Sequence, residues 1–362
     1  MEALVGRVEV ANDTLGRMAS LSSPLVSVVM PAYNCQSHLG EAISSMLGQT
    51  LTDFEFIIID DGSTDGTPAA LERHRRRDAR ISVVSQNHGG LGAALLVGCK
   101  LARGDFIARM DADDVSMPER LAQQVAFFEA HPEVGLCGTW AKTVGDDPGH
   151  EWRYPTDPDV LRCRLIFGVA HIHPTLMMRR SLMIRAGLTY DPAYTYAEDY
   201  DLYARCAGQV SFANIPRVLL LYRTHPQQAG RRYAEPERRL QAGRVQRDLL
   251  KHLDVQVSDR ELTVHQCLSD WRTQPNRSFI AAADSWLRKL ALANERTGCY
   301  PEPAFSRVLA ERWFYACNLA TELRWWTWNA FWHSPLASDA RLEARKKIDF
   351  ALRCRWAVKT AA

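Results

Sequence analysis

Apolar positions fall into short runs and helical stripes, and their alternation predicts the architecture of the first 228 residues. Val26-Ser27-Val28-Val29-Met30 reads as a buried strand stopped by Pro31, and Phe54–Asp60 as a second strand. Between them Leu39, Ile43, Met46 and Leu47 form a helical stripe. Ile81–Val84 is a short third strand, residues 92–102 a helix, and residues 105–110 a fourth strand. Pro68 suits the first turn of a helix, and Leu121, Val125 and Phe128 set the core face of another. Strands alternating with helices imply right-handed βαβ units and a mostly parallel sheet. From 134 to 228 the pattern loosens, with strand-like pieces at 134–144, 175–178 and 217–222. Beyond about 229 it turns helical, over 235–253, 259–271, 278–296, 303–323 and 338–356. Ser116 with Glu119 and Ser258 with Glu261 make capping-box patterns. No repeat or low-complexity tract interrupts the chain. Three segments follow: a lead-in at 1–24, an α/β domain at 25–228, and a helical region at 229–362.

At 46% hydrophobic and 24% charged, the 362 residues have the make-up of an ordinary globular protein. The net charge of +2 hides an asymmetry. Residues 1–228 hold 21 Lys+Arg against 27 Asp+Glu, and residues 229–362 hold 23 against 15. An acidic front and a basic back suggest parts with different tasks. The nine cysteines are scattered and odd in number, with no C-x-x-C pair. That argues against a zinc site or disulfide framework and for reduced, cytosolic thiols. The first 23 residues lack the sustained apolar core of a signal peptide. No run approaches the ~20 apolar residues of a membrane span. The expected location is cytoplasmic, with a peripheral position on the inner membrane face left open.

Chemistry concentrates where apolar runs end. Phe106-Ile107-Ala108-Arg109-Met110 runs into Asp111-Ala112-Asp113-Asp114. Strand residues i and i+2 face one side, so Asp111 and Asp113 are expected to aim at one point just past a strand end. Such a pair suits a hard cation, Mg²⁺ or Mn²⁺, shared with substrate phosphates. The plainer reading is a solvated turn and an acidic helix start. Asp60-Asp61-Gly62-Ser63-Thr64-Asp65-Gly66 has calcium-loop spacings, but the strand run before it rules out an EF-hand. An acidic turn there suits base N–H or ribose hydroxyl recognition instead. Asn87-His88-Gly89-Gly90-Leu91-Gly92 reads either as a close backbone approach to a ligand at a helix start or as a flexible loop. Glu198-Asp199-Tyr200-Asp201 is either a general-base cluster or acids gathered at a helix N-terminus. In Tyr222-Arg223-Thr224-His225, Arg223 could pair with phosphate and His225 could ligate metal or be structural. His171 and His173 pose the same choice.

Together these pieces resemble the family 2 glycosyltransferases, which have the GT-A fold. The resemblance covers 25 to about 226 and rests on seven segments in the family's order: VSVVMPAYN at 26–34, FEFIIIDDGSTDGT at 54–67, GGLGAA at 89–94, ARGDFIARMDADD at 102–114, HPTLMMRRS at 173–181, AEDYDLYAR at 197–205 and LYRTH at 221–225. It implies that Pro31, Tyr33 and Asp61 cradle the base and ribose, with Gly90 in the donor loop. Asp113 would be the direct metal ligand and Asp111 would contact ribose or sugar. Asp199 would be the base, and Arg223 and His225 would meet diphosphate or metal. Many members carry Ala-Arg-Asn where this chain has Ala94-Leu95-Leu96, so one donor contact is missing. The implied reaction is inverting, metal-dependent transfer from a nucleotide sugar, expected to be a UDP-sugar, to a saccharide or lipid-linked acceptor. Surface polysaccharide or glycolipid synthesis would be the setting. A nucleotide-sugar-binding protein without turnover and a sugar-phosphate nucleotidyltransferase are the competing readings.

Eight of the ten tryptophans lie after residue 228. Trp325, Trp326, Trp328, Phe331 and Trp332 are followed by Arg341, Arg345, Lys346, Lys347, Arg353, Arg355 and Lys359. Two readings stay open: aromatics packed on the core beneath solvated cations, or a membrane-interface surface. No nucleic-acid motif is present, and no nucleic-acid partner is expected.

Overall fold

The computed structural model describes residues 23–228, 235–271, 274–340 and 342–356, so most of the lead-in, Arg341 and Lys359 lie outside the described residues. The chain divides into two compact units, the first running to Pro158 and over Val169–Gln241, the second comprising Asp159–Gly168 and the chain from Ala242 on.

The first unit begins with β1 (Val26–Ala32), α1 (Gln36–Leu47), β2 (Phe54–Asp60), α2 (Thr67–Arg77), β3 (Ile81–Ser85), α3 (Leu91–Leu101) and β4 (Phe106–Arg109). It continues with β5 (Val115–Ser116), α4 (Arg120–Ala130), β6 (Val134–Gly145), β7 (Glu151–Trp152), β8 (Met177–Arg179), α5 (Glu198–Cys206) and β9 (Ser211–Thr224). Every residue of β1 and β2 is buried, as befits central strands covered on both faces. Leu39, Ala42, Ile43 and Met46 of α1 are buried at helical spacing, the face the sequence predicts.

The sheet runs in the order β3-β2-β1-β4-β8-β6-β9-β5, with β7 on β6. The β1–β2, β1–β4 and β2–β3 pairs are parallel. Beyond β4 the sheet is mixed, since β8 pairs antiparallel with both β4 and β6. This mixed α/β architecture is the fold class expected from the sequence.

Two local expectations need correction. The strand-like piece at 217–222 is the end of the 14-residue β9. Pro216 hides the earlier part, because it lacks an N–H for the ladder. The β6–β9 register slips at that point, from Thr139↔Ile215 to Trp140↔Val218. The Ser116–Glu119 capping box does not form. Ser116 is paired in β5 with Leu220, and α4 starts at Arg120 with no side-chain cap. Its hydroxyl instead accepts from Gln49 Nε2 at 3.2 Å.

The second unit is helical. It takes most of α6 (Glu235–His252), then α7 (Asp259–Ser269), α8 (Arg277–Thr297), α9 (Ala304–Leu319), α10 (Trp325–His333) and α11 (Ala344–Trp356). The Ser258–Glu261 capping box is formed at α7. Helix α10 was hidden in the sequence. Arg324, at φ 59°, separates it from the turn that follows α9. Segment 159–168 also belongs to this core, with Cys163, Ile166 and Phe167 buried against residues of α8 and α9.

Candidate active site

The chain leaves β1 to form β2 and β3 on one side, then returns to the other side as β4. The strand order therefore reverses between β1 and β4, and ligands in such sheets bind at the carboxyl ends flanking that point. The sequence-predicted acidic residues converge there.

Strand β4 ends at Arg109, paired with Val29, and Met110 N donates to Val29 O at 3.1 Å. Asp111 to Asp114 then form a turn before β5. A turn, not strand alternation, therefore brings the carboxylates together, and it adds Asp114 to the pair. One carboxylate oxygen from each of Asp111, Asp113 and Asp114 can be chosen so that all lie within 4.8 Å of one another. The end of β9 closes over them. Arg223 N donates to Asp114 Oδ1 at 2.8 Å, and Arg223 Nε donates to the Asp113 carbonyl at 2.8 Å. His225 Nε2 stands 2.9 Å from Asp113 Oδ2. The Arg223 guanidinium also reaches Glu41 at 2.6 Å.

Two guanidiniums lie beneath this cluster. Arg109 is 2% exposed and pairs with Asp111. Arg120 is fully buried, with Nη2 donating to the Arg109 carbonyl at 2.5 Å and Nε to Gln124 at 3.1 Å. Burial, and then the Arg109 charge, pull Arg120 down to about 9. Burial opposes the Arg109 charge, but Asp111 outweighs it and holds the guanidinium ionised. Burial raises Asp111 to about 6, against the pull of Arg109 and with the repulsion of Asp113. Asp114 is pushed well up by burial and by both neighbouring carboxylates.

The residues fit a divalent cation. Asp114 Oδ2 and His225 Nδ1 are buried without a hydrogen-bond partner, and the clustered carboxylates repel one another. A cation bound among them would relieve that repulsion. The oxygen-rich set suits Mg²⁺ or Mn²⁺, and the imidazole leans toward the latter.

The loops after β1 and β2 build an adjoining wall. Asn34, at φ 47°, accepts the amides of Thr64 and Asp65 at 2.8 and 3.3 Å, which fastens one loop to the other. Asp61 is buried and accepts from Gly89 N at 2.8 Å, Gly90 N at 2.9 Å and Gln86 Nε2 at 2.7 Å. In this geometry the glycine-loop amides serve Asp61. Gly62 allows the approach. Its φ is +74°, and a Cβ there would stand 2.8 Å from His88 N. Pro31 is buried in β1 beside Ile59, whereas Tyr33 is 37% exposed. The Tyr33 ring stacks on His88, with centroids 4.1 Å apart and planes at 22°. His88 also pairs with Asp61 at 2.9 Å. Sequence reading assigned His88 no role, because a lone loop histidine carries no periodic signal.

The second acidic cluster opens α5. Asp199 is partly exposed, and its Oδ1 accepts from Tyr200 N at 2.7 Å. Burial raises its carboxyl above the usual range. Glu198 beside it is 6% exposed and is lifted to about 8 by burial and then by Asp199. A Cβ on Gly92 would stand 3.3 Å from Glu198 Cβ, a tight contact that would push the two helix starts apart by a few tenths of an ångström. Arg109 acts electrostatically on both Glu198 and Asp199 as well as on the acidic turn. The sequence signal for Arg109 was a charge inside a strand that is otherwise apolar. His173 Nε2 is 2.9 Å from the Tyr190 hydroxyl, while His171 is fully buried on Asn214 at 2.9 Å. Burial pulls His171 down to about 4, the state of a neutral core histidine.

The Glu198 carboxyl makes stability pH-dependent. Its folded pKa lies above the ~4.3 of an unfolded glutamate. Its contribution is therefore intact below about pH 4 and is lost as pH rises toward about 8. Glu198→Gln is expected to match the parent near pH 4 and to be more stable than it at pH 8. Denaturant titrations at the two pH values check this, and a difference independent of pH would refute it.

Comparison with known proteins points one way. The family described as Glycosyl transferase family 2 matches residues 27–186. An uncharacterized glycosyltransferase of Haemophilus influenzae is 31% identical over 222 residues, covering 58% of this chain and 68% of the relative. The O-antigen biosynthesis glycosyltransferase WbnJ of Escherichia coli is 30% identical over 207 residues, 56% of this chain and 80% of that one. Among solved structures, S. aureus TarS 1-349 in complex with UDP-GlcNAc superimposes with a TM-score of 0.54 at 20% identity, covering 90% of this chain and 89% of that chain.

Proposed function

Since the chain belongs to glycosyl transferase family 2, we propose that this site carries out inverting transfer of a sugar from a UDP-sugar to an acceptor hydroxyl. The observation that carries the proposal is the division of acids at one site: three carboxylates and His225 gathered at the strand-order reversal, and a separate carboxylate, Asp199, at the start of α5.

Asp199 takes the proton of the acceptor hydroxyl as that oxygen attacks the anomeric carbon. Attack comes from the face opposite the leaving nucleoside diphosphate, so the new C–O bond forms as the bond to diphosphate breaks. A Mn²⁺ or Mg²⁺ ion, held by Asp113 and His225, would act as a Lewis acid toward the departing diphosphate. Tyr33 offers its exposed face to the base, with Pro31, Asp61 and Gly90 shaping the wall around it. Asp111, oriented by Arg109, faces the ribose or sugar. Arg223 reaches the diphosphate by releasing Glu41, a contact worth little because that glutamate side chain is 60% exposed.

The relative named for O-antigen biosynthesis supports a role in surface polysaccharide assembly with a saccharide or lipid-linked acceptor. Among the described residues no helix is long and apolar enough to cross a membrane. A peripheral membrane position is part of the proposal.

Nucleoside diphosphate release, measured over a panel of nucleotide sugars with Mn²⁺, Mg²⁺ or EDTA, tests the reading. Metal-dependent release from a UDP-sugar is expected. If pyrophosphate appears instead, from a nucleoside triphosphate and a sugar phosphate, the reaction is nucleotidyl transfer. The pH profile is a second check. The base must be ionised, and burial raises the Asp199 pKa, so kcat should fall as pH drops through a limb above the ordinary ~4 of aspartate. A limb at or below pH 4 argues against Asp199 as the base.

A further inference from the structure

Helix α11 shows the second unit one face and leaves the other bare. Phe350 and Cys354, four residues apart, are fully buried, and the Phe350 ring lies 5.6 Å from Trp328 and 5.4 Å from Phe331. At about 100° per residue, Ile348, Leu352 and Trp356 fall on the opposite side. They are 60%, 50% and 64% exposed. Solvent-facing positions of a helix are ordinarily polar, so an aliphatic and aromatic stripe at i, i+4 and i+8 requires a partner. On neighbouring α10, Trp325 and Trp332 are also exposed, at 51% and 40%.

Charge identifies the partner. Helix α11 carries Arg345, Lys346, Lys347, Arg353 and Arg355 against a single acid, Asp349. By helical position Arg345 lies in line with the apolar stripe, one turn before Ile348, and Arg355 flanks it. Lys347 Nζ lies 5.9 Å from the Trp332 ring centroid and the Arg355 guanidinium 5.2 Å from that of Trp356, so cations and aromatics share one surface. A soluble protein partner would satisfy the apolar stripe without requiring a surplus of cations around it. A bilayer with anionic headgroups satisfies both: the stripe enters the headgroup–acyl boundary, and long basic side chains extend to the phosphates.

We propose that the exposed face formed by Ile348, Leu352 and Trp356 of α11, with Trp325 and Trp332 of α10, is an interfacial docking surface for anionic lipid membranes. It rests on this helical unit alone and does not depend on the assigned reaction.

The test is flotation of the full chain with phosphatidylcholine vesicles and with vesicles containing about a third phosphatidylglycerol. Binding to the anionic vesicles alone, weakened by added salt, is expected. The variant I348S/L352S/W356S should lose at least about tenfold in vesicle affinity, because the buried apolar area supplies the anchoring. R345E/R355E should lose binding by a similar factor and show less dependence on salt. Neither variant alters a residue of the candidate active site, so nucleoside diphosphate release from the donor should stay at parental rates in both. Parental binding that survives the triple substitution overturns the proposal, and so does failure of the parent to bind anionic vesicles. A parent that is dimeric in sedimentation while the triple variant is monomeric assigns the face to a second copy and also overturns it. Failure of donor turnover with normal vesicle binding would count against the catalytic reading only.

Discussion

Asp199→Asn is expected to leave the fold and nucleotide binding intact while lowering kcat by about 10²–10⁴-fold, the usual worth of a general base. The carboxylate sits at the first turn of α5, and its one described hydrogen bond is to the adjacent amide of Tyr200. An amide oxygen can keep that bond, so the substitution removes basicity with little structural change. The split between constants is decisive. If Asp199 removes the acceptor proton, kcat falls and UDP affinity in the presence of Mn²⁺ does not. A parallel loss of both would mean that Asp199 shapes the donor pocket instead. Near-parental turnover would remove it from the mechanism.

Asp113→Ala should abolish metal-dependent donor turnover, with a loss of about 10³-fold or more, since a Lewis acid supplies several kcal/mol of charge stabilisation. The substitution removes one of three clustered carboxylates and the partner of His225 Nε2. A second readout separates metal binding from general damage. Without metal, the three acids repel one another, and removing one eases that strain. The metal-free variant should therefore unfold at or above the parental temperature, while added Mn²⁺ should stabilise the parent and not the variant. A variant that unfolds early and still responds to Mn²⁺ would contradict the assignment.

Much of this site was legible in the sequence because its parts are local. Asp111, Asp113, Arg223 and His225 stand at the ends of apolar runs, and such ends face solvent at a sheet margin, while Asp199 stands in an acidic cluster at a helix start. Less legible was what each carboxylate does with its lone pairs. Asp61 looks from sequence like a free acid in a turn, yet it is engaged by two glycine amides, Gln86 and His88. Asp114 looks like the first acid of a helix but lies fully buried, with one oxygen unpartnered. These differences arise from contacts across dozens of residues, for which periodicity carries no signal.

The same division runs through the whole protein. By itself the sequence determined the strand–helix alternation, the buried β1 and β2, the core faces of α1 and α4, and the order of the motifs. Each depends on side-chain periodicity within a dozen residues, a property written along the chain. Only the tertiary structure decided that a turn gathers Asp111, Asp113 and Asp114, that Arg109 links them electrostatically to Glu198 and Asp199, and that segment 159–168 belongs to the helical unit. It also decided which tryptophans are buried and that Ile348, Leu352 and Trp356 face outward. Those outcomes depend on what packs against each element, and burial and electrostatic coupling are properties of neighbours in space.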